Sequence, residues 1–566
     1  MVNLKSNPFY LSDTQVQWVE ETIASMTLEE KIGQLFVNLF TPDLSSDDIK
    51  KMMEKYPIGA ARYHGGKSPE LQDFLTTLQN HSKIPLLIAA NCDSGGNGGM
   101  LDGTYVASAA QVEASGSEKV AYNAGYVSGR EAKAIGVNWN FGPNADILFN
   151  WRNTIVNTRA YGTNADSVIK YASAFYKGLK DNEVLGCIKH FPGDGTEERD
   201  QHLILGVNEL KPEEWDESFG RVYKSMIDQG IPSIMVGHIA LPEYQYLLNP
   251  SLKYEDILPA TLAPELLQGL LRGRLGFNGL IITDASHMIG MAAAMKRRDY
   301  VPAAIAAGCD LFLFFNDMEE DFNFMLDGYR NGVITEERLT DALKRILGLK
   351  ASLNLHVKKA NGTLNPTREM LSVVGCEEHQ SMAQEAADLG ITLVKDTWKQ
   401  LPIRPETHPR VRLHTLYGEI AGITHGSKAS EKIIIEELER VGFKVTLNDG
   451  NSREKGKTSQ LSRDFDVALE FADIVGYAAE NNYRIRWKVP MSNDIPWFVY
   501  EVPTIFVSLN YTTHLVDVPM VKTYVNAYGN TRVVIREVIR KLMGESEFKG
   551  TPNDLVWCGN LWEAKR

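Results

Sequence analysis

The sequence predicts an α/β protein in which a (β/α)8 TIM-type barrel is followed by a smaller α/β sandwich domain. Three observations support this fold class. Short apolar runs alternate with helical patterns through the first part of the chain, a polar connector interrupts them, and the alternation then resumes. Since 566 residues are too many for one ordinary hydrophobic core, at least two domains are expected.

Eight apolar runs in the first part of the chain have the length and composition of buried strands. Helical patterns separate them, and eight such βα units are what a closed barrel requires. Thr27 and Glu30 form a capping-box pattern, which predicts a helix running toward Gln34 at the start of the first run. The predicted strands are 32–40, 57–63, 85–90, 137–141, 184–188, 233–236, 279–283 and 311–314.

The barrel pattern ends in a predicted helix over 335–353 with an apolar stripe through Leu339, Leu343 and Ile346. Residues 356–365 are rich in Lys, Asn and Gly, which is typical of a linker between domains. We therefore predict a barrel domain over 1–355, a linker over 356–375 and a C-terminal domain over 376–566. Further strands are predicted at 391–394, 411–416, 444–447, 474–476 and 504–509.

Composition and charge indicate which kinds of molecule the protein is expected to bind. Hydrophobic residues make up 43% of the chain and charged residues 23%, which is typical of a soluble globular protein. The net charge of −13 argues against general binding to nucleic acid or anionic membranes and favours a small neutral ligand. No apolar run has the length of a signal core or a membrane span, so we expect a cytoplasmic protein.

The cysteine content indicates neither a disulfide framework nor a metal site. Five cysteines are scattered through mostly apolar contexts, and no two have the spacing of a zinc site. We expect them to be reduced thiols in the protein core and expect the protein to need no metal or other cofactor. The cysteines are Cys92, Cys187, Cys309, Cys376 and Cys558.

The loop after the predicted fifth strand carries the strongest chemical signal in the chain. Lys189 and His190 leave this strand, and Pro192, Gly193 and Gly195 follow within a few residues. Barrel enzymes place their chemistry at such strand ends. Further along the same loop, Asp200 and His202 are spaced so that the carboxylate can orient the imidazole, which then becomes a usable proton donor near neutral pH.

Asp284 provides a second acidic group at the end of the predicted seventh strand. An aspartate there can attack an anomeric carbon, and a retaining glycosidase needs such a nucleophile together with a separate proton donor. The alternative is that Asp284 only caps the next helix, because aspartate commonly does so after a strand. The residue by itself leaves both interpretations open.

Several segments together resemble glycoside hydrolase family 3, and within it the β-N-acetylglucosaminidase branch. The likeness extends from about residue 20 to 350 and is looser in the second domain. It rests on segments that occur in the same order and spacing as in the family. These segments are 26–35, 189–202, 259–262 and 275–284.

The resemblance implies a retaining mechanism with a covalent glycosyl-enzyme at Asp284. In this branch the acid/base is a histidine on the loop after the fifth strand, paired with an aspartate two residues earlier, which implies His202 and Asp200. Other members of the family take a glutamate from the second domain instead. The Asp-x-His loop therefore favours an N-acetylhexosamine substrate.

Candidate sugar contacts follow from the same topology and resemblance. Lys189 and His190 leave the fifth strand toward the barrel mouth, and His238 leaves the sixth, although His238 can equally be a satisfied core histidine. Arg159 resembles the substrate-binding arginine of the family, its alternative being a surface ion pair. Asp146 is expected to organise the loop after the fourth strand without a catalytic role.

Two positions depart from the family pattern. Where relatives carry an acid that grips the sugar hydroxyls, this chain has Asn91 and Asp93 within two residues of each other. We prefer Asp93, because a charged acceptor binds vicinal hydroxyls more strongly, and keep Asn91 as a candidate. Asp194 stands where many relatives have a histidine, and a solvated loop acid is its simplest interpretation.

Taken together, the sequence predicts an exo-acting, retaining β-N-acetylglucosaminidase that hydrolyses terminal β-linked N-acetylhexosamine. An alternative is phosphorolysis with inorganic phosphate as the acceptor, because a histidine acid/base repels phosphate less than a glutamate does. A non-catalytic sugar sensor is less compatible with the presence of Asp284, His202 and Asp200. The sequence leaves open the natural substrate, the role of the second domain and whether the protein is a monomer or a homodimer.

Overall fold

A computed structural model describes residues 1–417, 428–448, 458–474, 483–487 and 495–566. Its first sheet is a closed barrel of eight parallel strands, in the order β1-β8-β7-β6-β5-β4-β3-β2. This confirms the predicted barrel. The strands are β1 Phe36–Phe40, β2 Ala60–Tyr63, β3 Leu87–Ala90, β4 Trp139–Asn140, β5 Leu185–Phe191, β6 Ser233–Val236, β7 Leu280–Ala285 and β8 Leu311–Leu313.

Helices occupy the segments between the barrel strands, and most of them have a buried apolar face. Two of these connections contain π-helical segments, Asp216–Gly220 and Glu265–Arg274. The α-helices up to residue 360 are α1 Asp13–Ser25, α2 Leu28–Gly33, α3 Ser46–Lys55, α4 Ser68–His81, α5 Ala109–Ser115, α6 Glu118–Ala134, α7 Ala165–Asp181, α8 Pro212–Trp215, α9 Arg221–Asp228, α10 Pro242–Leu248, α11 Ile289–Ala292, α12 Arg297–Ala307, α13 Met318–Arg330, α14 Glu336–Ser352 and α15 Leu355–Ala360.

The start of the first barrel strand was predicted too early. The Thr27 side chain accepts a hydrogen bond from the Glu30 amide at 3.2 Å, and the Glu30 carboxylate accepts one from the Thr27 amide at 3.0 Å. This reciprocal cap begins helix α2, as its sequence pattern predicts, and holds residues 28–33 in a helix. Only Phe36–Phe40 are left to form the strand.

Strands β5 and β7 extend further toward the barrel mouth than predicted. β5 continues through Lys189 and His190 to Phe191, and its register with β6 shifts between Ile188 and Phe191. A bulge of this kind re-aims the side chains it carries. Strand β7 likewise continues through Asp284 to Ala285, so the polar residues at both strand ends lie within strands and do not belong to loops.

The chain divides into two compact units. The first consists of Met1–Tyr105, Tyr122–Ile147 and Asn164–His379, and the second of Val106–Ala121, Leu148–Thr163 and Gln380–Arg566. The boundaries of 1–355, 356–375 and 376–566 stay a prediction. In the structure, Val106–Ala121 and Leu148–Thr163 belong to the second unit, although they lie between barrel strands in the sequence. The second unit is therefore not one continuous segment of the chain.

The predicted linker is folded onto the barrel. It contains helix α15 and a short helical turn, Arg368–Val373. The Thr367 carbonyl accepts a hydrogen bond from Gln72 on α4 at 3.0 Å, and Arg368 pairs with Asp73 of the same helix at 2.8 Å. Polar composition thus marks the segment correctly as a connector but does not make it extended.

The second unit contains a six-stranded sheet in the order β9-β14-β13-β12-β10-β11, in which β9 runs antiparallel to β14 and the other pairs are parallel. Its strands are β9 Thr392–Asp396, β10 Arg410–Tyr417, β11 Lys444–Leu447, β12 Val467–Asp473, β13 Thr504–Ser508 and β14 Thr523–Asn526. Its helices are α16 Glu377–Gly390, α17 Lys428–Arg440, α18 Thr458–Asp464, α19 Arg532–Leu542 and α20 Leu561–Lys565.

The predicted and described strands of this sheet differ at two places. The strand predicted at 474–476 lies mostly outside the described residues, and the neighbouring strand β12 ends at Asp473. Strand β14 was missed, because its four residues include Thr523 and Asn526 and lack a long apolar run. Within the described residues, no helix combines the length and apolar character needed to cross a membrane.

Candidate active site

Asp284 lies at the mouth of the barrel near the end of β7, and its side chain is 13% exposed. Its Oδ1 accepts a hydrogen bond from the Ala285 amide at 2.7 Å. Its Oδ2 lies 4.0 Å from Nε2 of His190. The carboxylate is therefore fixed by its own backbone while one face stays open to a ligand.

The charge state of Asp284 is set by two opposing effects. Burial raises its pKa, but the fields of His190 and His202 and the hydrogen bond from Ala285 lower it, so the net shift is downward. Asp284 is therefore ionised throughout the neutral pH range. This is the state that a nucleophile requires.

His190 is held by a buried carboxylate from the neighbouring strand. Its Nδ1 lies 2.7 Å from Oδ2 of Asp146, and its backbone amide donates to Oδ1 of the same residue at 3.1 Å. The Asp194 amide also donates to this Oδ1, at 2.9 Å. Asp146 thus ties the end of β4 to both ends of the turn after β5, in line with the organising role expected from the sequence.

Lys189 and Asp93 form a second polar pair at the same end of the barrel. Lys189 Nζ lies 3.2 Å from Oδ2 of Asp93, and the lysine side chain is only 3% exposed. Asp93 is partly exposed, so it can receive sugar hydroxyls while the lysine holds it from below. The Asn91 carbonyl accepts a hydrogen bond from the Asp93 amide at 3.1 Å, so the two candidates share one turn.

The turn after β5 requires glycine at position 193. Gly193 has a φ of 118°, and a Cβ there would lie 2.2 Å from the ring of Phe219. The Trp215 indole donates to the Pro192 carbonyl at 2.7 Å, and the Asn208 amide donates to the Gly193 carbonyl at 3.1 Å. These contacts direct the chain back across the barrel mouth toward Asp200.

Asp200 and His202 form the predicted dyad. Nδ1 of His202 lies 2.7 Å from Oδ1 of Asp200, which also accepts the His202 backbone amide at 2.9 Å. Asp200 is fully buried, whereas the His202 side chain is 21% exposed. The His202 carbonyl accepts a hydrogen bond from the Ile289 amide at 3.1 Å, which places the dyad beside the segment that follows Asp284.

The geometry does not fit a sugar contact by His238. Its side chain is fully buried, Nε2 donates to the Ala285 carbonyl at 2.9 Å, and Nδ1 lies 3.0 Å from the Thr261 hydroxyl. Both ring nitrogens are thus bonded within the protein. Burial lowers the pKa of His238, so it is a neutral histidine that supports the backbone behind Asp284.

Three further residues change the picture obtained from the sequence. Arg159 lies in the short helical turn Asn157–Arg159 of the second unit, so its contact with a sugar stays a prediction. Asp194 is buried and hydrogen-bonded, not a solvated loop acid. His287 was not among the predicted site residues, although it follows Asp284 closely and has an exposed surface. Partial desolvation and the field of His202 lower its pKa.

One group of side chains of metal-ligand type occurs in the described residues. Cys376, Glu378 and His379 bring their ligand atoms within 4.8 Å of one another. Arg130 forms an ion pair with Glu378, and Glu131 holds His379 Nδ1 at 2.7 Å. These protein partners explain why the three side chains lie close together, because Arg130 neutralises Glu378 and Glu131 holds His379.

Comparison with protein families finds one match that covers more than half of the chain. The family model described as the glycosyl hydrolase family 3 N terminal domain matches residues 27–349. A protein from Cellulomonas fimi named Beta-N-acetylglucosaminidase/beta-glucosidase is 39% identical over 567 residues, which cover 100% of both chains. The matched region contains all eight barrel strands together with Asp200, His202 and Asp284.

Solved structures resemble the chain over nearly its full length. One named Beta-glucoside phosphorylase BglX bound to 2FGlc is 39% identical, has a TM-score of 0.92 and covers 97% of this chain and 98% of that one. A glycoside hydrolase family 3 beta-N-acetylglucosaminidase from Paenibacillus sp. str. FPU-7 is 24% identical, with a TM-score of 0.78 and coverage of 93% and 98%. The second likeness bears on the fold alone.

The buried state of His238 predicts a pH dependence of stability. Because its folded pKa lies below the ordinary value near 6.5, the unfolded chain binds a proton that the folded chain does not. Its contribution to the free energy of unfolding is complete above pH ~6.5 and is lost as the pH falls below that value. Urea unfolding of wild type and His238→Gln at pH ~7.5 and ~5.5 tests this. We expect a larger loss in the wild type, and equal losses would contradict the assignment.

Proposed function

Because the chain belongs to glycoside hydrolase family 3, we propose that it is a retaining, exo-acting β-glycosidase for terminal β-linked N-acetylglucosamine, with glucose as a second accepted sugar. The observation that carries the proposal is an ionised Asp284 at the barrel mouth, within the field of a His202 ring that Asp200 orients. One group is thus suited to attack carbon and the other to move a proton.

In the first step, an oxygen of Asp284 attacks C1 of the sugar from the face opposite the leaving group. The bond from C1 to the aglycone oxygen breaks, and His202 gives this oxygen its proton. Since Nδ1 of His202 is held by Asp200, Nε2 is the nitrogen that exchanges protons with the substrate. The products are the free aglycone and a glycosyl ester of Asp284.

In the second step, neutral His202 takes a proton from a water molecule while the water oxygen attacks C1. The ester bond breaks and Asp284 leaves as a carboxylate, which the fields of His190 and of the newly protonated His202 stabilise. Two inversions at C1 give a product with the β configuration of the substrate. The proton that His202 lost in the first step is thereby restored.

The choice of sugar is supported by the relative from Cellulomonas fimi, whose name contains both N-acetylglucosaminidase and glucosidase. The contacts we assign to the sugar are those of Asp93, held by Lys189, and of His190, held by Asp146. Asp93 accepts hydrogen bonds from two neighbouring hydroxyls, which a carboxylate does more strongly than an amide. Asn91 and Arg159 stay candidates for further contacts.

Phosphorolysis is a second candidate function. It is favoured by the 39% identical structure named as a β-glucoside phosphorylase, which covers almost the entire chain. It is also compatible with the chemistry of the site, because a neutral imidazole does not repel an incoming phosphate as a carboxylate does. Phosphate would then replace water in the second step, and the product would be a sugar 1-phosphate.

The role of His202 predicts a dependence on the leaving group. His202→Ala should lower kcat/KM for an alkyl β-N-acetylglucosaminide by about 100-fold or more, because the departing alkoxide needs a proton. For a 2,4-dinitrophenyl glycoside, whose leaving group needs none, kcat/KM should change by less than about threefold. His287→Ala is the matched control, a histidine at the same mouth that should affect both substrates alike. Equal losses in His202→Ala would exclude His202 as the acid.

The two candidate functions predict different products. Proton and phosphorus NMR of the reaction with an N-acetylglucosaminide and with a glucoside, with and without phosphate, separates them. Hydrolysis gives the free β-anomer first, at a rate that phosphate leaves unchanged. Phosphorolysis gives sugar 1-phosphate in proportion to the phosphate added, and an α-anomer as first hydrolysis product would contradict the retaining mechanism.

A further inference from the structure

The loop that carries the dyad is fastened to the barrel by the residue between its two members. We propose that Gln201 is a positioning residue, which fixes the place from which His202 delivers its proton. The inference deepens the proposed function and rests on it. Its evidence is a set of hydrogen bonds that join the loop to the segments after β6 and β7.

The Gln201 side chain is a buried bridge between two segments. Its Oε1 accepts a hydrogen bond from the His238 backbone amide at 2.7 Å, and its Nε2 lies 3.5 Å from Oδ2 of Asp194. An amide N–H can bond only to an acceptor, so the first contact fixes which end of the side chain carries the oxygen. Gln201 is almost completely buried, so water cannot replace either bond.

The loop backbone is bonded to the segment that follows Asp284. The carbonyl of Gln201 accepts the Gly290 amide at 3.2 Å, and the carbonyl of His202 accepts the Ile289 amide at 3.1 Å. A Cβ at Gly290 would lie 2.8 Å from Cβ of His238, so the segments meet too closely for any larger residue. The acid/base loop is thus registered against the strand that carries the nucleophile.

The dyad depends on this registration, because the Asp200 carboxylate forms hydrogen bonds only to His202 among the described residues. Oδ1 of Asp200 bonds His202, whereas Oδ2 is buried and has no hydrogen-bond partner among the described residues. The dyad geometry is therefore determined by the backbone on either side of it, where Gln201 lies. A displacement of about 1 Å at a reacting group can lower a rate by about 100-fold.

Gln201→Met tests the inference, because methionine has a similar length and volume but offers no strong acceptor to the His238 amide. We expect kcat/KM for an alkyl β-glycoside to fall by about 10- to 100-fold, and that for the 2,4-dinitrophenyl glycoside by less than about threefold. A purely structural role lowers both values by the same factor. Gln201→Asn, which is too short to bridge both segments, should give the same pattern if the methionine variant folds poorly.

Gln245 offers a matched control elsewhere in the barrel. It is also buried, with Oε1 accepting the Leu241 amide at 3.1 Å and Nε2 donating to the Leu258 carbonyl at 3.3 Å. Gln245→Met should therefore cost similar stability without changing the ratio of the two kcat/KM values. An equal loss on both substrates in the Gln201 variants, or no loss, overturns the positioning role.

Failure of the proposed function can be told apart from failure of this inference. His202→Ala is assayed with the same two substrates. If it discriminates between the leaving groups and the Gln201 variants do not, only the positioning role falls. If His202→Ala does not discriminate either, the assignment of the acid fails and the inference falls with it.

Discussion

A carboxylate that attacks a sugar must stay ionised in a site from which most of the water has been removed. Asp284 meets this constraint although its side chain is only 13% exposed. Burial alone raises its pKa, and the fields of His190 and His202 with one backbone hydrogen bond reverse that effect. His190 comes from β5, His202 from the loop after it and Asp284 from β7, so the ionised state depends on the closed barrel.

The partners of the three histidines separate their roles. His190 and His202 each bond a buried aspartate through Nδ1, which fixes the ring and directs Nε2 toward the ligand side. His238 bonds a hydroxyl and a carbonyl and is neutral. Of the two aspartate-bound rings, His190 lies against Asp284 and His202 is the more exposed. These positions fit the proposal that His190 stabilises Asp284 and that His202 contacts the leaving group.

The sequence predicts most of the barrel, because each of its strands is a compact apolar run next to a clear turn signal. Its errors have physical causes. The first strand was started too early, because Ile32 and Leu35 are buried apolar residues that suit a strand as well as helix α2 and its end. Strand β14 was missed, since its burial comes from its central place in the sheet and not from its composition. The assignment of 106–121 and 148–163 to the second unit depends on distant contacts that local patterns cannot show.

The same distinction applies to the site. The pairing of Asp200 with His202 could be predicted from their spacing, whereas the role of Asp284 stays a prediction. The bonding of both nitrogens of His238 could not, because its partners Thr261 and Ala285 come from other segments. Gln201 gave no signal, since its importance lies in a side chain that reaches across to the next strand end.

The central claim is that Asp284 forms a bond to the sugar. A 2-deoxy-2-fluoro-glucosyl fluoride, or the 5-fluoro analogue of an N-acetylglucosaminyl fluoride, slows the second step more than the first and lets the ester accumulate. Intact mass and peptide mapping should find one glycosyl group per chain, attached to Asp284 and absent from Asp284→Asn. An adduct on another residue, or rapid turnover of normal substrates by Asp284→Asn, would contradict the account.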